Sequence, residues 1–332
     1  EEAKSKANED RKRRSVIDRK NSALTLIAQA ERRLRDASLE FGPYGAERQQ
    51  RAVELAIQDV EEYLDDDDPQ ELEISVSALQ EALFGLNRKF ALEKKLCELS
   101  FYEFFKMAWH IVEPSIKLST NWHHKYLCDI LQEEAERMSA NQPKTKDIII
   151  NIPFRSTKSL LVTVMFPVWC WIKNPKFRFI TASYSAELSI EHSTRSRDII
   201  NSKWFVDRWG DKFHIKKDQN LKSRYENNFL GVRRATSVGG TVTGQGGDFL
   251  IVDDPVSPQN AASEIERENA NEWYRTTFYS RLNNPLTGVR IVIMQRIHEN
   301  DLSGFLLHSS ENRIKYKHIC IPAEKSDDIC SK

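Results

Sequence analysis

The sequence has few of the features that would indicate an oxidised or membrane-embedded protein. Its five cysteines are scattered among 332 residues, and none forms a Cys-x-x-Cys pair. A disulfide framework and a zinc site are therefore not expected, and a reducing cytoplasm is predicted. The longest apolar stretch, residues 160–172, contains Pro167. It is shorter than the ~20 residues that a membrane-spanning helix needs, so no membrane partner is predicted.

The sequence also lacks an excess of one charge, because 49 Lys and Arg residues balance 49 Asp and Glu residues. A small, strongly basic nucleic-acid-binding module is therefore excluded, and any contact with DNA must depend on local sites. The hydrophobic content of 40% is sufficient for a sizeable core. A chain of this length is expected to form about two domains.

Residues 1–90 predict an all-α bundle of three antiparallel helices. Apolar residues recur at helical spacing in three stretches, separated by Gly42-Pro43-Tyr44-Gly45 and by residues 65–68 before Pro69. Short breaks of this kind join neighbouring helices of a bundle. The apolar positions are Ile17, Leu24, Ile27, Ala28 and Leu34, then Val53, Ala56, Val60 and Leu64, then Leu72, Val76, Leu79, Leu83 and Leu86.

The composition changes near Phe90, where we place a domain boundary, and residues 91–332 predict a second, α/β domain. Apolar runs typical of strands alternate there with helical patterns long enough for right-handed crossovers. Such a pattern predicts a three-layer fold with a mostly parallel sheet. The predicted strands are residues 147–151, 177–182, 249–252, 290–294 and 315–319.

A candidate phosphate-binding loop follows the first predicted strand. It runs Pro153-Phe154-Arg155-Ser156-Thr157-Lys158-Ser159 and leads into an apolar helix from Leu160. Amides at a helix start attract phosphates, a lysine contacts the β and γ groups, and a hydroxyl helps to hold Mg²⁺. Ile152 and Thr157 stand where the usual pattern has glycine, so an ordinary strand–turn–helix remains the alternative.

Two carboxylates end another buried strand, because Phe249-Leu250-Ile251-Val252 is followed by Asp253, Asp254 and Pro255. Ligand chemistry in α/β sheets lies at this edge. We predict that Asp253 contacts Mg²⁺ and that Asp254 orients or deprotonates the attacking water. Together with Lys158, these acids favour a nucleoside triphosphatase, whereas a structural Asp-Asp-Pro turn is the alternative.

Two resemblances follow from these motifs. The stretch 7–14 (ANEDRKRR) with residues 17–23 (IDRKNSA) resembles the start of the helical lid of DnaK-type chaperones over about ninety residues, although a solvated helical bundle is the plainer interpretation. Residues 95–325 resemble the ATPase domain of tailed-phage terminase large subunits. The matching motifs are NWHH at 121–124, PFRSTKSLL at 153–161, ASYSAEL at 182–188, DDP at 253–255, WYRTT at 273–277 and MQRIHENDL at 294–302.

The terminase resemblance implies further roles for single residues. Trp122 and His124 would lie near the adenine, with a core tryptophan and a surface histidine as the alternative. Arg155 would clamp phosphate and take part in catalysis with Lys158 and Asp254, or would be a solvated arginine. Gln295 and Arg296 would sense the γ-phosphate, or would only end a strand exposed to solvent. Residues 153–159 would bind ATP, with Ser159 and Asp253 on Mg²⁺.

The resemblance also implies a motor that moves double-stranded DNA into a procapsid in the host cytoplasm. Its expected partners are double-stranded DNA, a portal protein, a terminase small subunit and further copies of the chain in a ring. Terminase large subunits continue into a nuclease domain, whereas this sequence stops at Lys332, so the resemblance implies ATP hydrolysis without DNA cleavage. Two alternatives remain at this point: a helicase-like translocase, and a nucleotide-free interaction protein with a degenerate loop.

Overall fold

The computed structural model describes residues 2–41, 46–65, 69–242, 244–308 and 315–323. The chain divides into two compact units, Glu1–Leu96 and Cys97–Lys332. The division falls within the helix Pro69–Leu99 and after Phe90, where the sequence composition changes.

The first unit contains three helices around a small apolar core. The helices are α1 (Glu2–Phe41), α2 (Glu47–Glu62) and α3 (Pro69–Leu99). Their shared core includes Ala23, Ala30, Val53, Leu79 and Leu86. The face predicted for the first helix was partly wrong, because Ile17 and Leu24 are exposed and the small residues Ala23 and Ala30 are buried instead. The predicted break at 42–45, and residues 66–68 of the predicted break at 65–68, lie outside the described residues.

The second unit is an α/β domain with one eight-stranded sheet. Its strands are β1 (Asp147–Asn151), β2 (Phe179–Ser183), β3 (Ile215–Asn220), β4 (Arg224–Asn227), β5 (Val232–Ser237), β6 (Phe249–Asp253), β7 (Val289–Met294) and β8 (Tyr316–Cys320). Its α-helices are α4 (Phe101–Val112), α5 (Trp122–Ser139), α6 (Phe166–Lys173), α7 (Ala186–Asn201), α8 (Lys203–Trp209), α9 (Glu264–Trp273) and α10 (Leu302–Leu307). Two π-helical turns, Leu160–Met165 and Tyr274–Phe278, precede α6 and follow α9.

The strand order is β3-β4-β5-β2-β6-β7-β1-β8. The six strands from β5 to β8 pair in parallel, whereas β3 and β4 add an antiparallel edge. A mostly parallel sheet was predicted, and this is confirmed. The antiparallel hairpin and β5 were not predicted, because β3 is rich in charged residues and its side chains are half-buried or exposed.

Both faces of the sheet are covered, as the continuous apolar runs of β1 and β6 require. Successive side chains of a strand point to opposite faces. Ile148 and Ile150 accordingly pack into one apolar core with α4 to α8, whereas Ile149 packs into a second core on the other face, with α9 and α10. Burying each such side chain stabilises the fold by roughly 1.5–3 kcal/mol. The result is a helix–sheet–helix arrangement that brings the ends of β1, β6 and β7 to one edge.

Within the described part of the chain, every helix is either too short or too polar to cross a membrane.

Candidate functional site

The loop after β1 has an unusual backbone. Arg155 and Thr157 both have positive φ, at 57° and 61°. Such values are common for glycine and rare for a β-branched residue. Thr157 therefore adopts a glycine-like conformation at the second glycine position of the pattern, whereas Ile152 at the first position has no positive φ.

The loop turns into a helix at Lys158 and exposes its central side chains. Phe154 is 64% exposed and Arg155 is also exposed. The hydroxyl of Ser156 donates to the carbonyl of Pro153 at 2.6 Å and so closes the turn. The first N–H groups of a helix have no partner within it, and the helix dipole adds partial positive charge. An anion at this position would meet backbone amides of the helix start.

Lys158 is buried at the start of this helix. Its Nζ lies 2.7 Å from Oδ2 of Asp254, which follows β6. No local pattern indicated this pairing, because β6 is far from the loop along the chain. Lys158, at the junction of the loop and the sheet edge, thus forms an ion pair with Asp254, one of the two acids predicted from the sequence.

Asp253 is almost completely buried and accepts two hydroxyl hydrogen bonds. Ser159 Oγ donates to one carboxylate oxygen at 3.0 Å, and Thr163 Oγ1 donates to the other at 2.7 Å. Burial raises the pKa of Asp253, although the bond from Thr163, the charge of Lys158 and the bond from Ser159 oppose this. The residue predicted to bind metal therefore contacts the hydroxyl that was predicted to share that metal.

Asp254 faces a different set of groups. Its φ is 45°, and its Oδ1 accepts the backbone N–H of Gln295 at 3.2 Å while Oδ2 contacts Lys158. Burial and the neighbouring Asp253 raise the pKa of Asp254, and Lys158 lowers it. The two adjacent acids thus have separate partners, as alternation at a strand end requires.

His124 and Trp122 lie at the start of α5. The alternative of a core tryptophan and a surface histidine was wrong, because the opposite exposure is found. His124 is buried, whereas Trp122 is 63% exposed. The Nδ1 atom of His124 accepts the backbone N–H of Asn121 at 2.9 Å, so its proton is on Nε2, which donates to Thr157 Oγ1 at 2.7 Å. Burial and the adjacent His123 lower the pKa of His124 to about 4. The ring is therefore neutral and binds the loop.

Gln295 and Arg296 directly follow β7, which lies between β6 and β1 in the sheet. Gln295 contacts Asp254 through its backbone N–H. Arg296 is exposed, and its Nε donates to the buried carboxylate of Asp301 at 2.9 Å. Asp301 also caps α10 by accepting from the N–H of Gly304 at 2.9 Å. The segment after β7 is thus connected to Asp254 at one end and to α10 at the other.

The oxygen ligands at this edge fit Mg²⁺ better than a transition metal. Ser159 and Asp253 offer a hydroxyl and a carboxylate, and Mg²⁺ commonly takes one or two protein oxygens together with water and phosphates. Within the described ranges there is no group of three or more His, Cys, Asp or Glu residues that could enclose a metal. A closed zinc or calcium site is therefore not formed by these residues.

Three polar residues behind Asp253 were missed by the sequence analysis. Thr163 lies one helical turn after Ser159, a spacing that places both hydroxyls on one side and could have identified it. His192 on α7 has Nδ1 3.6 Å from the Asp253 carboxylate, and Arg233 on β5 donates to the carbonyl of Thr163 at 2.7 Å. Burial, followed by the charge of Arg233, lowers the pKa of His192 to about 4. No local pattern marks either residue.

Comparison with known proteins finds two unrelated similarities, and no family model matches. Over 95 residues, the chain is 88% identical to the chaperone protein dnaK1 of Prochlorococcus marinus subsp. pastoris and 67% identical to dnaK1 of P. marinus strain SARG. Each match covers 29% of this chain but only 14% of the chaperone.

Solved structures of phage terminases give the second similarity. The large terminase of bacteriophage HK97 has 13% identity and a TM-score of 0.44, over 68% of this chain and 45% of that one. The large terminase of a thermophilic bacteriophage, in complex with ADP, has 10% identity and a TM-score of 0.34, over 59% and 48%. The chain spans less than half of either terminase. Its two-part resemblance, to a chaperone region and to large terminases, is thus confirmed.

Proposed function

We propose that the α/β unit is the ATP-hydrolysing motor domain of a viral DNA-packaging terminase large subunit. One observation carries the proposal: Lys158 and Ser159, adjacent in the loop, each contact one of the two adjacent acids, Asp254 and Asp253. This places an ammonium, a hydroxyl and two carboxylates with different partners at one sheet edge. The order of the terminase-like motifs along the chain supports the same assignment.

Each residue of the site has a distinct task in this proposal. Lys158 and Arg155 would contact the phosphates together with the amides of the loop. Ser159 and Asp253 would hold Mg²⁺, which when bound neutralises charge on the phosphate oxygens. Asp254 would orient the attacking water and accept its proton.

The pairing of Lys158 with Asp254 suggests an order of events. Lys158 lowers the pKa of Asp254, whereas burial and Asp253 raise it. When Lys158 turns from the carboxylate to a phosphate, the opposing influence is lost and Asp254 becomes a stronger base. Binding of the nucleotide would therefore activate the acid that acts on water.

The segment after β7 offers a route from this chemistry to movement. Asp254 holds the N–H of Gln295, and Arg296 holds Asp301 at the start of α10. A change at Asp254 would therefore be transmitted to the segment from Gln295 to α10. In the assembled motor this segment would respond to the γ-phosphate, with a portal protein, a small subunit and other copies in a ring as partners.

The decisive test combines ATP hydrolysis with two DNA assays on the whole chain. We expect hydrolysis that needs Mg²⁺ and rises with double-stranded DNA, and displacement of a third strand from a triplex without separation of the duplex. Lys158→Ala should abolish both. The matched control is Lys125→Ala, which removes a mainly exposed lysine that pairs with Asp129.

Other outcomes identify the alternatives. Separation of a forked duplex into single strands would favour a helicase-like translocase. If Mg²⁺ and ATP cause no thermal shift, the loop does not bind nucleotide, and an interaction protein becomes the better description.

A further inference from the structure

The loop contains a conformation that its own sequence does not favour. Thr157 has a φ of 61°, although its branched Cβ makes the left-handed region unfavourable. Most loops of this kind use glycine at this position, which has no such penalty. A contact from outside the loop is therefore needed to hold Thr157 in this conformation.

His124 supplies such a contact from α5. Its Nε2–H donates to Thr157 Oγ1 at 2.7 Å, and the same hydroxyl donates to the carbonyl of Ser156 at 2.6 Å. The other ring nitrogen accepts the N–H of Asn121, which caps α5. The ring also lies beside Phe105 of α4, with centroids 5.4 Å apart. His124 thus contacts Asn121, Phe105 and Thr157, and its single ring N–H group donates to the loop.

We infer that His124 is a positioning residue that replaces the missing loop glycine by holding Thr157 in its left-handed conformation. The effect of His124 on catalysis rests on the proposed function, whereas its contact with Thr157 does not. This positioning role differs from the predicted role near adenine, because both ring nitrogens are already hydrogen-bonded within the protein. His124 acts on phosphates only through Thr157 and the amides that follow it.

A double-mutant cycle tests the contact without nucleotide. The substitutions are His124→Ala and Thr157→Gly, singly and together, and the readout is denaturant unfolding followed by tryptophan fluorescence. All seven tryptophans lie after residue 96, so the signal reports the α/β unit. We expect His124→Ala to lower the unfolding midpoint clearly in the parent and much less in the Thr157→Gly background. Equal losses in both backgrounds would overturn the inference.

A pair of replacements at His124 tests the catalytic consequence. His124→Gln places an amide near the position of Nε2 and can still donate to Thr157, whereas His124→Asn keeps an acceptor for Asn121 but cannot reach Thr157. We expect His124→Asn to raise the KM for ATP about tenfold, His124→Gln to stay within about threefold, and Thr157→Gly to rescue His124→Asn. Equal effects of the two replacements, or no rescue, would contradict the positioning role.

These two readouts keep the inference separate from the proposed function. If the parent chain binds no ATP, the proposed function fails, and the unfolding cycle still decides whether His124 holds Thr157. If the parent hydrolyses ATP and the cycle shows no coupling, the proposed function stands and the inference fails.

Discussion

The ammonium of Lys158 and the carboxylate of Asp254 form an ion pair 2.7 Å long across the junction of the loop and the sheet edge. The same carboxylate accepts the backbone N–H of Gln295. In the proposed function, a contact from Lys158 to a phosphate would weaken this ion pair, so nucleotide binding and the state of Asp254 would be linked. Substitutions at this pair and at the groups around it should therefore separate binding from hydrolysis.

Lys158→Ala is expected to lower kcat/KM for ATP by about 10²–10³-fold or more. This is the usual effect of removing a hydrogen-bond donor that stabilises the charge developing in the transition state. Because Lys158 is buried beside two acids, the variant should also be less stable than the parent. The measurements are ATP turnover and denaturant unfolding. The control, Lys125→Ala, should change neither; equal turnover in the two variants would mean that the loop lysine has no phosphate role.

The adjacent acids are expected to give different defects. Asp253→Asn should weaken Mg²⁺-dependent ATP binding as well as turnover, because the Ser159–Asp253 pair would lose charge. Asp254→Asn should leave binding intact and slow single-turnover hydrolysis by ~10²–10⁴-fold. Asp254→Glu is expected to retain activity. Asp248→Asn, at the opposite end of β6, is the matched control; parent-like rates in both Asn variants of the site would show that the acids are structural.

The two hydroxyls on Asp253 are expected to have separate roles. Ser159→Ala should raise the Mg²⁺ concentration needed for half-maximal hydrolysis, and Ser159→Thr should restore it, since a hydroxyl at this position would reach the metal. Thr163→Ala should leave the Mg²⁺ requirement unchanged and lower stability by about 1–3 kcal/mol, because it removes a donor from a buried carboxylate. Mg²⁺ titrations of hydrolysis provide the test, and identical curves for the two Ala variants would refute the division.

The pH dependence of stability should report the buried state of His124. Its pKa is about 4 in the folded protein and 6.5 in an unfolded chain, so the unfolded chain binds the proton first as the pH falls. The contribution of His124 is therefore present above pH 6.5 and is lost progressively as the pH falls towards 4.

Comparison of the parent with His124→Gln isolates this contribution. We expect the unfolding free energy of the parent, relative to that of the variant, to fall between about pH 7 and about pH 5. His214→Gln, which replaces an exposed histidine, should show no such change. A parent-to-variant difference that is constant over this range would mean that His124 is not neutral and buried.

The α/β unit is expected to fold and bind ATP without the helical unit. The two compact units divide after Leu96, so residues 1–96 should be removed. Removing only residues 1–90 would keep a part of α3 that belongs to the first unit. The shortened chain should keep the parent's tryptophan fluorescence, unfolding midpoint and ATP affinity. Aggregation, or loss of ATP binding, would show that residues 1–96 contribute to the core of the second unit.

Local patterns were sufficient where a structural element depends mainly on its own residues. Strand β1 was predicted with its observed bounds, and β6 and β7 within one residue, because strands buried on both faces are continuous apolar runs. Strands β3 to β5 were missed because their polar and charged residues give no such run.

Contacts between distant residues could not be predicted in the same way. The burial of Lys158 depends on Asp254, and the burial of His124 depends on Thr157 and on the packing of α4. Likewise, the histidine and arginine behind Asp253 come from α7 and β5, which are brought together only by the complete sheet. Residue type and spacing indicated the chemistry of the loop and the acids. The hydrogen-bond partners of these residues could be identified only from the fold.

The bond between His124 and Thr157 joins positions 33 residues apart in the sequence. A loop that keeps its shape through such a bond is not a self-contained module, because part of the information for its shape is encoded before β1. Transplanting residues 152–159 alone into an ATPase should therefore fail, and transferring His124 with its helix start should be required. Short-pattern searches built on glycine will also overlook loops of this kind, since phosphate binding depends on a backbone shape rather than on one residue type.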